Sequence, residues 1–208
     1  MDWQLNAAEA RVLGCLLEKE IATPDYYPLS LHALVNGCNQ KSNREPVVNY
    51  DESTVEEALA GLRAQGFSVR ITGGDSRVPK HAQRFTEKFN LGRREAALLC
   101  VLMLRGPQTA GELRARTERL YAFDDLEAVD TTLNHLAESG YAKQFPRQPG
   151  MKEPRWMHLL SGEPAGMEAA AAASSAEKGP SDRERIAALE AALEDLRREF
   201  QDFRKRLE

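Results

Sequence analysis

The sequence lacks the features that mark exported and membrane-spanning proteins. No apolar stretch approaches the roughly 18 residues that a membrane span requires, and the opening residues Met1–Gln4 are acidic rather than basic. Three cysteines, Cys15, Cys38 and Cys100, are odd in number and far apart, which does not suit a disulfide framework. Cys15 and Cys100 lie among Leu, Val and Met, as small core residues do. These absences predict a cytoplasmic protein with reduced cysteines.

The sequence also lacks a strong excess of positive charge. Residues 1–90 carry 10 basic and 12 acidic side chains, residues 91–161 carry 10 and 9, and residues 162–208 carry 8 and 11. A dedicated nucleic-acid-binding domain usually has a clearly basic segment. Any contact with nucleic acid must therefore come from a local cluster of cations.

Motifs of catalysis and of metal binding are missing as well. The four histidines lie in four different predicted elements, and none has a cysteine or carboxylate at a metal-ligand spacing: His32, His81, His135 and His158. We expect them to be surface or hydrogen-bonded side chains. The sequence has no nucleophile elbow, phosphate loop or dinucleotide-binding turn. It therefore predicts a protein that is not an enzyme and that holds no cofactor and no metal.

An internal repeat is the most informative feature that is present. Five residues of the first half have counterparts 74 residues later in the second half. The pairs are Val55 and Val129, Leu59 and Leu133, Leu62 and Leu136, Gly66 and Gly140, and Phe67 and Tyr141. Upstream, the Glu9–Leu17 pattern recurs 86 residues later, beginning at Glu95. The difference of 12 residues between the two offsets predicts an insertion in the first half, around Cys38 to Asp51.

Each half is predicted to contain three helices and a β-hairpin. In the first half, capping boxes open a helix at Asn6 and Glu9 and another at Ser53 and Glu56. The other predicted elements are a short helix at 30–36, a stop at Gly66, and strands at 67–72 and 81–86. The second half repeats this order with helices at 93–105, after Thr109 and at 126–139, and strands at 141–145 and 155–160. This order is that of a winged helix-turn-helix.

The composition changes beyond Gly162. An alanine-rich stretch without an apolar stripe predicts a mobile linker over 162–180. From Ser181, apolar residues recur at spacings of three and four, which predicts a coiled-coil tail that makes the protein a homodimer: Ile186, Leu189, Leu193, Leu196, Phe200, Phe203 and Leu207. An amphipathic helix that folds back onto the same chain is the alternative. The predicted fold is mainly α with small β-hairpins: winged-helix domains at 1–90 and 91–161, the linker, and the tail at 181–208.

Three runs of residues resemble the YceH family of bacterial proteins: Glu9–Glu20, Thr23–Leu31 and Asn36–Arg44. The resemblance covers about residues 5 to 161 and implies a tandem winged-helix fold. It implies no activity, cofactor or catalytic residue.

Two functions remain open. A winged helix usually places its third helix in the major groove, but both third helices here are acidic, with Glu56 and Glu57 in the first and Glu127 and Asp130 in the second. Weak, non-specific DNA association would then use the hairpins and the loop 39–44. The alternative is a protein-interaction scaffold whose tail dimerises.

The candidate contact residues are cations outside the third helices. They lie in the inserted loop, on the two hairpins and after the second short helix: Lys41, Arg44, Arg77, Lys80, Arg84, Arg114, Arg116, Arg147 and Lys152. Scattered surface cations are more often simply solvated. The alternative for the loop 39–44 is a capping structure whose amides form hydrogen bonds with helix ends. Both alternatives stay open from the sequence.

Overall fold

The computed structural model describes residues 3–73, 76–147, 150–163 and 197–198, and it leaves out the side chains of residues 76 and 77. The predicted coiled-coil tail, apart from residues 197 and 198, and most of the predicted linker lie outside the described residues.

The first half begins with a helix that is capped as the sequence predicts. Asn6 Oδ1 accepts a hydrogen bond from the Glu9 backbone N–H at 2.9 Å, and the Glu9 carboxylate accepts one from Asn6 N–H at 2.8 Å. A 3₁₀ turn follows this first helix at Pro24–Tyr26. The elements of this half are α1 (Ala7–Ala22), β1 (Leu29–Ser30), α2 (Leu31–Cys38), α3 (Glu52–Ala64), β2 (Ser68–Gly73), β3 (Ser76–Gln83) and α4 (Phe85–Lys88).

The second half repeats the helix, short helix, helix and hairpin order. Thr109 and Glu112 form the predicted capping box at the start of the short helix. The elements are α5 (Arg93–Arg105), α6 (Ala110–Thr117), α7 (Leu126–Glu138), β4 (Ala142–Phe145) and β5 (Arg155–His158). Strands β4 and β5 pair antiparallel, and β1, β3 and β2 form a small antiparallel sheet in that order. The protein is therefore mainly α-helical with small β-hairpins, as predicted.

Two predicted boundaries were wrong. Helix α3 is capped by Asp51, whose carboxylate accepts the Thr54 N–H at 2.8 Å, so Ser53 lies inside the helix rather than at its N-cap. The returning strand of the first hairpin is Ser76–Gln83 rather than residues 81–86. Phe85 begins the short helix α4 instead, because its fully buried ring belongs to the core. The first error is local, since Asp51 lies two residues before Ser53 and caps the helix in its place; the second arises because tertiary packing overrides the strand pattern.

The two halves share one hydrophobic core, built around helices α1 and α5. These helices approach closely at Gly14, where the Cys100 thiol donates to the Gly14 carbonyl at 3.4 Å. A Cβ at Gly14 would lie only 3.0 Å from Leu104 Cδ2. All three cysteines are buried and free, which confirms the prediction that Cys15 and Cys100 are core residues.

The N-terminal segment ties the halves together a second time. The Trp3 ring packs edge-on against Phe67, with centroids 4.5 Å apart, and also contacts Phe85 and Phe89. The Leu5 N–H donates to the Leu160 carbonyl at 2.7 Å, just beyond the second hairpin. The first residues of the chain therefore bridge from the first half to the end of the second.

Candidate functional site

The inserted segment between α2 and α3 is closed by one asparagine. The Asn39 amide donates to the Tyr50 carbonyl and its oxygen accepts the Tyr50 N–H, both at 2.8 Å. This pair of bonds spans 11 residues and holds the two ends of the insertion together. Asn39 therefore has the capping role that the sequence left as one of two alternatives for this loop.

Arg44 turns inward from the same loop, and none of its side chain is exposed. Its Nη1 and Nη2 atoms donate to the two carboxylate oxygens of Glu18 at 3.1 and 2.7 Å. Further bonds to the carbonyls of Gly37 and Asn43 and to the side chain of Gln40 satisfy the rest of the guanidinium. Arg44 holds the loop against α1, so it has no donor left for a phosphate.

Burial and the ion pair act in opposite directions on Glu18. Burial alone would raise the pKa of the Glu18 carboxyl, but the hydrogen bonds and charge of Arg44, helped by Lys19, lower that pKa below its usual value. Burial alone would lower the pKa of Arg44, but the hydrogen bonds and charge of Glu18 outweigh burial and raise that pKa. Both groups are therefore charged at neutral pH.

The outer face of the loop forms one wall of a groove between the two halves, which we call the cationic groove. It has a volume of about 820 Å³, and its other walls are the ends of α1 and α5 and one face of α6. Its charged lining consists of four cations and two carboxylates: Lys19, Arg105, Arg116, Arg119, Glu18 and Glu118. Since Glu18 is already bound to Arg44, the surface that faces solvent is positively charged.

Arg105, the last residue of α5, lies at the centre of this cluster. Its guanidinium donates to the Asn43 side chain. Partial burial, followed by the nearby guanidinium groups of Arg116 and Arg44, lowers the pKa of Arg105. Burial is the larger cause of this lowered pKa, and repulsion from the two neighbouring guanidinium groups adds to it; an anion in the groove would relieve that repulsion.

A second depression of about 450 Å³ continues the groove along the same loop and shares Asn43, Arg105 and Arg116 with it. Arg155 lines it, but this side chain is bound to Glu112 at 2.8 Å and to the Pro107 carbonyl at 2.8 Å. Arg116 lies 3.6 Å from Glu112 as well. Lys19 lies 3.2 Å from Glu18, so within the described residues the positive charge without a carboxylate partner is concentrated at Arg105 and Arg119.

The other predicted contact residues are spread over the surface. Lys41 is exposed at the loop, Lys80 and Arg84 lie at the first hairpin, and Arg147 and Lys152 are exposed at the second. Arg84 is paired with Glu87. Arg114 points to the far side of α6, where it donates to the carbonyls of Phe123 and Asp124. The side chain of Arg77 lies outside the described residues. Of the nine candidates, Arg116 lines the cationic groove.

The sequence named Arg116 among the candidate contact residues, but not Lys19 or Arg105. These two residues are 86 positions apart; Lys19 lies in the last turn of α1, and Arg105 is the last residue of α5. The internal repeat could have indicated that these two cations occupy matching positions, because its offset of 86 residues aligns α1 with α5. Their packing against each other is what brings both cations to one groove.

His32 and His135 are exposed, as the sequence predicts, whereas the other two histidines differ from the expectation of surface or hydrogen-bonded rings. His81 and His158 are buried, and the Nδ1 atom of each has no hydrogen-bond partner in the described structure. Burial lowers the pKa of His158 to about 4, so its ring is neutral at pH 7. Within the described residues, no group of three or more His, Cys, Asp or Glu side chains could hold a metal ion. No helix of the described chain has the length and apolar character of a membrane span.

Comparison with known proteins identifies the family. A family model described as "Protein of unknown function, DUF480" matches residues 5–151. A "UPF0502 protein" of Solibacter usitatus is 66% identical over 208 residues, which is all of both chains. Another, of Citrifermentans bemidjiense, is 50% identical over 93% of this chain and 90% of its own, and one of Aeromonas hydrophila is 46% identical over 100% and 98%. The chain therefore belongs to the DUF480 family, the UPF0502 proteins, which is the family that the YceH resemblance indicated.

Proposed function

We propose that the protein is a non-enzymatic binding protein that associates with DNA by contacting phosphates through the cationic groove and the two hairpins. The observation that carries this proposal is the excess of cations in the groove, four against two carboxylates, with Arg105 crowded by neighbouring guanidinium groups. Phosphates are the anions that such a surface favours, since each contact releases a counterion from the nucleic acid.

The order of elements supports two tandem winged-helix domains, at 1–90 and 91–161. In such domains the third helix normally reads bases in the major groove. Here α3 and α7 expose carboxylates to solvent, which phosphates repel: Glu56, Glu57, Glu127 and Asp130. Contacts limited to phosphates position a protein on DNA without specifying a sequence. We therefore expect weak, salt-sensitive binding that is nearly indifferent to sequence.

The experiment is retention of full-length protein on immobilised duplex DNA of mixed sequence across a salt gradient. The test variant carries Arg105→Gln and Arg119→Gln, which removes two groove charges. The matched control carries Arg93→Gln and Arg94→Gln at the opposite end of α5, about 18 Å away from Arg105 at 1.5 Å per residue. Both variants lose two positive charges, so any difference between them reports position rather than net charge.

We expect the groove variant to elute at lower salt and its salt slope to flatten by up to about 1.8 log units per log unit of salt, since each phosphate contact contributes about 0.9. The control should elute with the parent protein. Equal shifts in both variants would reduce the interaction to net charge and refute the groove as the contact surface. Tight, sequence-selective binding that neither variant changes would also refute it.

The contribution of the hairpins is tested separately. Replacing Arg77, Lys80 and Arg84 by alanine should flatten the salt slope further, because long cationic side chains on a hairpin contact phosphates rather than bases. An unchanged slope would limit the interface to the groove.

A protein-interaction scaffold is the second candidate. The acidic solvent faces of α3 and α7 favour it, since they suit a basic protein surface better than a phosphate backbone. In that case the predicted tail at 181–208 would hold two copies of the chain together, so that α3 and α7 of both copies would be available to the partner protein. Failure of the parent protein to be retained on DNA at low salt would favour this function.

A further inference from the structure

A separate cavity lies on the other side of Arg105, between α1, the inserted loop, α5 and β5. Its volume is about 580 Å³, and its lining is mostly apolar, including Leu5, Ala10, Pro46, Leu102 and Met157. This volume falls within the range of about 300–1,000 Å³ that is typical of small-molecule sites, which also tend to have apolar walls and a few polar groups. Of its lining residues, Glu45, Arg105 and Pro107 also line the two depressions described above.

Arg11 is one of the polar residues that line this cavity, and it is only 4% exposed. Its Nη1 and Nη2 atoms donate to the carbonyls of Cys38 and Pro46, at 3.2 and 2.6 Å. Its Nε atom is buried and has no hydrogen-bond partner. Over the described residues, neither Arg11 nor Arg105 forms an ion pair with a carboxylate, although both line the cavity.

His158 adds a second unsatisfied polar atom. The residue is 3% exposed and lines the cavity, and its Nδ1 atom has no partner. A buried donor or acceptor left without a hydrogen bond is unfavourable, because it loses its bonds to water without gaining others. The neutral His158 ring can either donate or accept a hydrogen bond at Nδ1, so the sign of the missing group is indicated by Arg11, whose Nε–H has no acceptor and whose charge has no counter-ion.

We propose that this cavity binds a small amphipathic anion, with its carboxylate near Arg11 and Arg105 and its apolar body against Leu5, Leu102 and Met157. A carboxylate supplies the counter-ion that Arg11 lacks and an acceptor for its Nε–H. An apolar body matches the remaining walls. This inference does not depend on DNA binding, and its experiment contains no DNA.

The test uses decanoate as the probe and isothermal titration calorimetry on the full-length protein, with 1-decanol as a matched uncharged probe. We expect one decanoate per chain and at least about 10-fold weaker binding of decanol, the ratio that 1.4 kcal/mol produces. Arg11→Met, which keeps much of the side-chain length without the charge, should bring decanoate down to the affinity of decanol.

A second variant guards against misfolding, because Arg11 also supports the loop. Ala7→Phe adds a ring at an exposed residue that lines the cavity, whereas Ala33→Phe adds the same ring to an exposed position on α2 away from it. The first should weaken decanoate binding at least about 10-fold, the factor that 1.4 kcal/mol represents, and the second should leave it unchanged. Absence of decanoate binding to the parent protein, equal binding of decanol, or equal effects of the two phenylalanine variants would each overturn the proposal.

Discussion

Replacement of Arg44 by methionine would break the buried ion pair that holds the inserted loop to α1. The Glu18 side chain is only 15% exposed, so it would be left as a largely buried carboxylate without its bidentate partner. Removal of one partner from a buried pair typically costs about 3–5 kcal/mol. The free energy of unfolding of a domain is only about 5–15 kcal/mol in total. We therefore expect a large fall in the stability of the Arg44→Met variant.

The assay is equilibrium unfolding in urea at pH 7, followed by circular dichroism. Lys41→Met is the matched control, since Lys41 is exposed in the same loop, and its effect should stay within about 0.5 kcal/mol. The double variant Glu18→Met with Arg44→Met should recover most of the loss, because apolar pairs of similar volume often replace buried ion pairs at little cost.

The same pair predicts a pH dependence. The pKa of Glu18 is lowered in the folded protein, so its contribution is present above the unfolded value of about 4.3 and is lost as the pH falls through the folded value. Glu18→Gln should reduce the acid sensitivity below pH 5. An Arg44→Met protein that is as stable as Lys41→Met but has lost retention on DNA would refute this account and make Arg44 a contact residue.

Three further predictions concern other parts of the chain. Burial lowers the pKa of His158 from 6.5 to about 4, so the free energy of unfolding should decline as the pH falls from about 6.5 to 4 and the ring becomes protonated. The variant His158→Gln should remove up to about 3 kcal/mol of that decline. Gly14→Ala should lower stability by about 1–3 kcal/mol, measured by urea unfolding, because the new methyl group meets Leu104 at 3.0 Å. Light scattering should find a dimer for the full chain and a monomer for a chain that ends at Gly179; a monomeric full chain would refute the coiled-coil tail.

Much of the secondary structure follows from short-range patterns. The predicted helix over residues 93–105 coincides with α5, and the capping boxes at Asn6 and Thr109 form as expected. The stops at Gly66 and Gly140 hold because both glycines adopt positive φ, 71° and 75°, which other residues rarely do. Caps and stops involve residues within a few positions of one another, so the sequence contains all the information they need.

The N-cap of α3 was a local misassignment, but the other predictions that failed or stayed open depend on contacts distant in sequence. Phe85 looked like the end of a strand, but its ring packs on Trp3 and Phe67 and starts a helix instead. For the inserted loop, the sequence left both a capping role and a contact role open, because nothing near Arg44 in the sequence shows that Glu18 lies 2.7 Å from it. Arg44 can be buried because Glu18 pairs with it, and Glu18 lies in α1, 26 residues earlier in the sequence.

The sequence by itself determined the mainly helical class, the repeat and the place of the insertion, because each of these is recorded in local composition and spacing; the family came from the resemblance of three residue runs to known proteins. Only the tertiary structure decided which cations face solvent together. Lys19 and Arg105 meet because α1 and α5 pack at Gly14, where the absence of a side chain lets the two helices approach. The cationic groove and the apolar cavity both lie beside that contact, so neither could be found before the two halves were placed against each other.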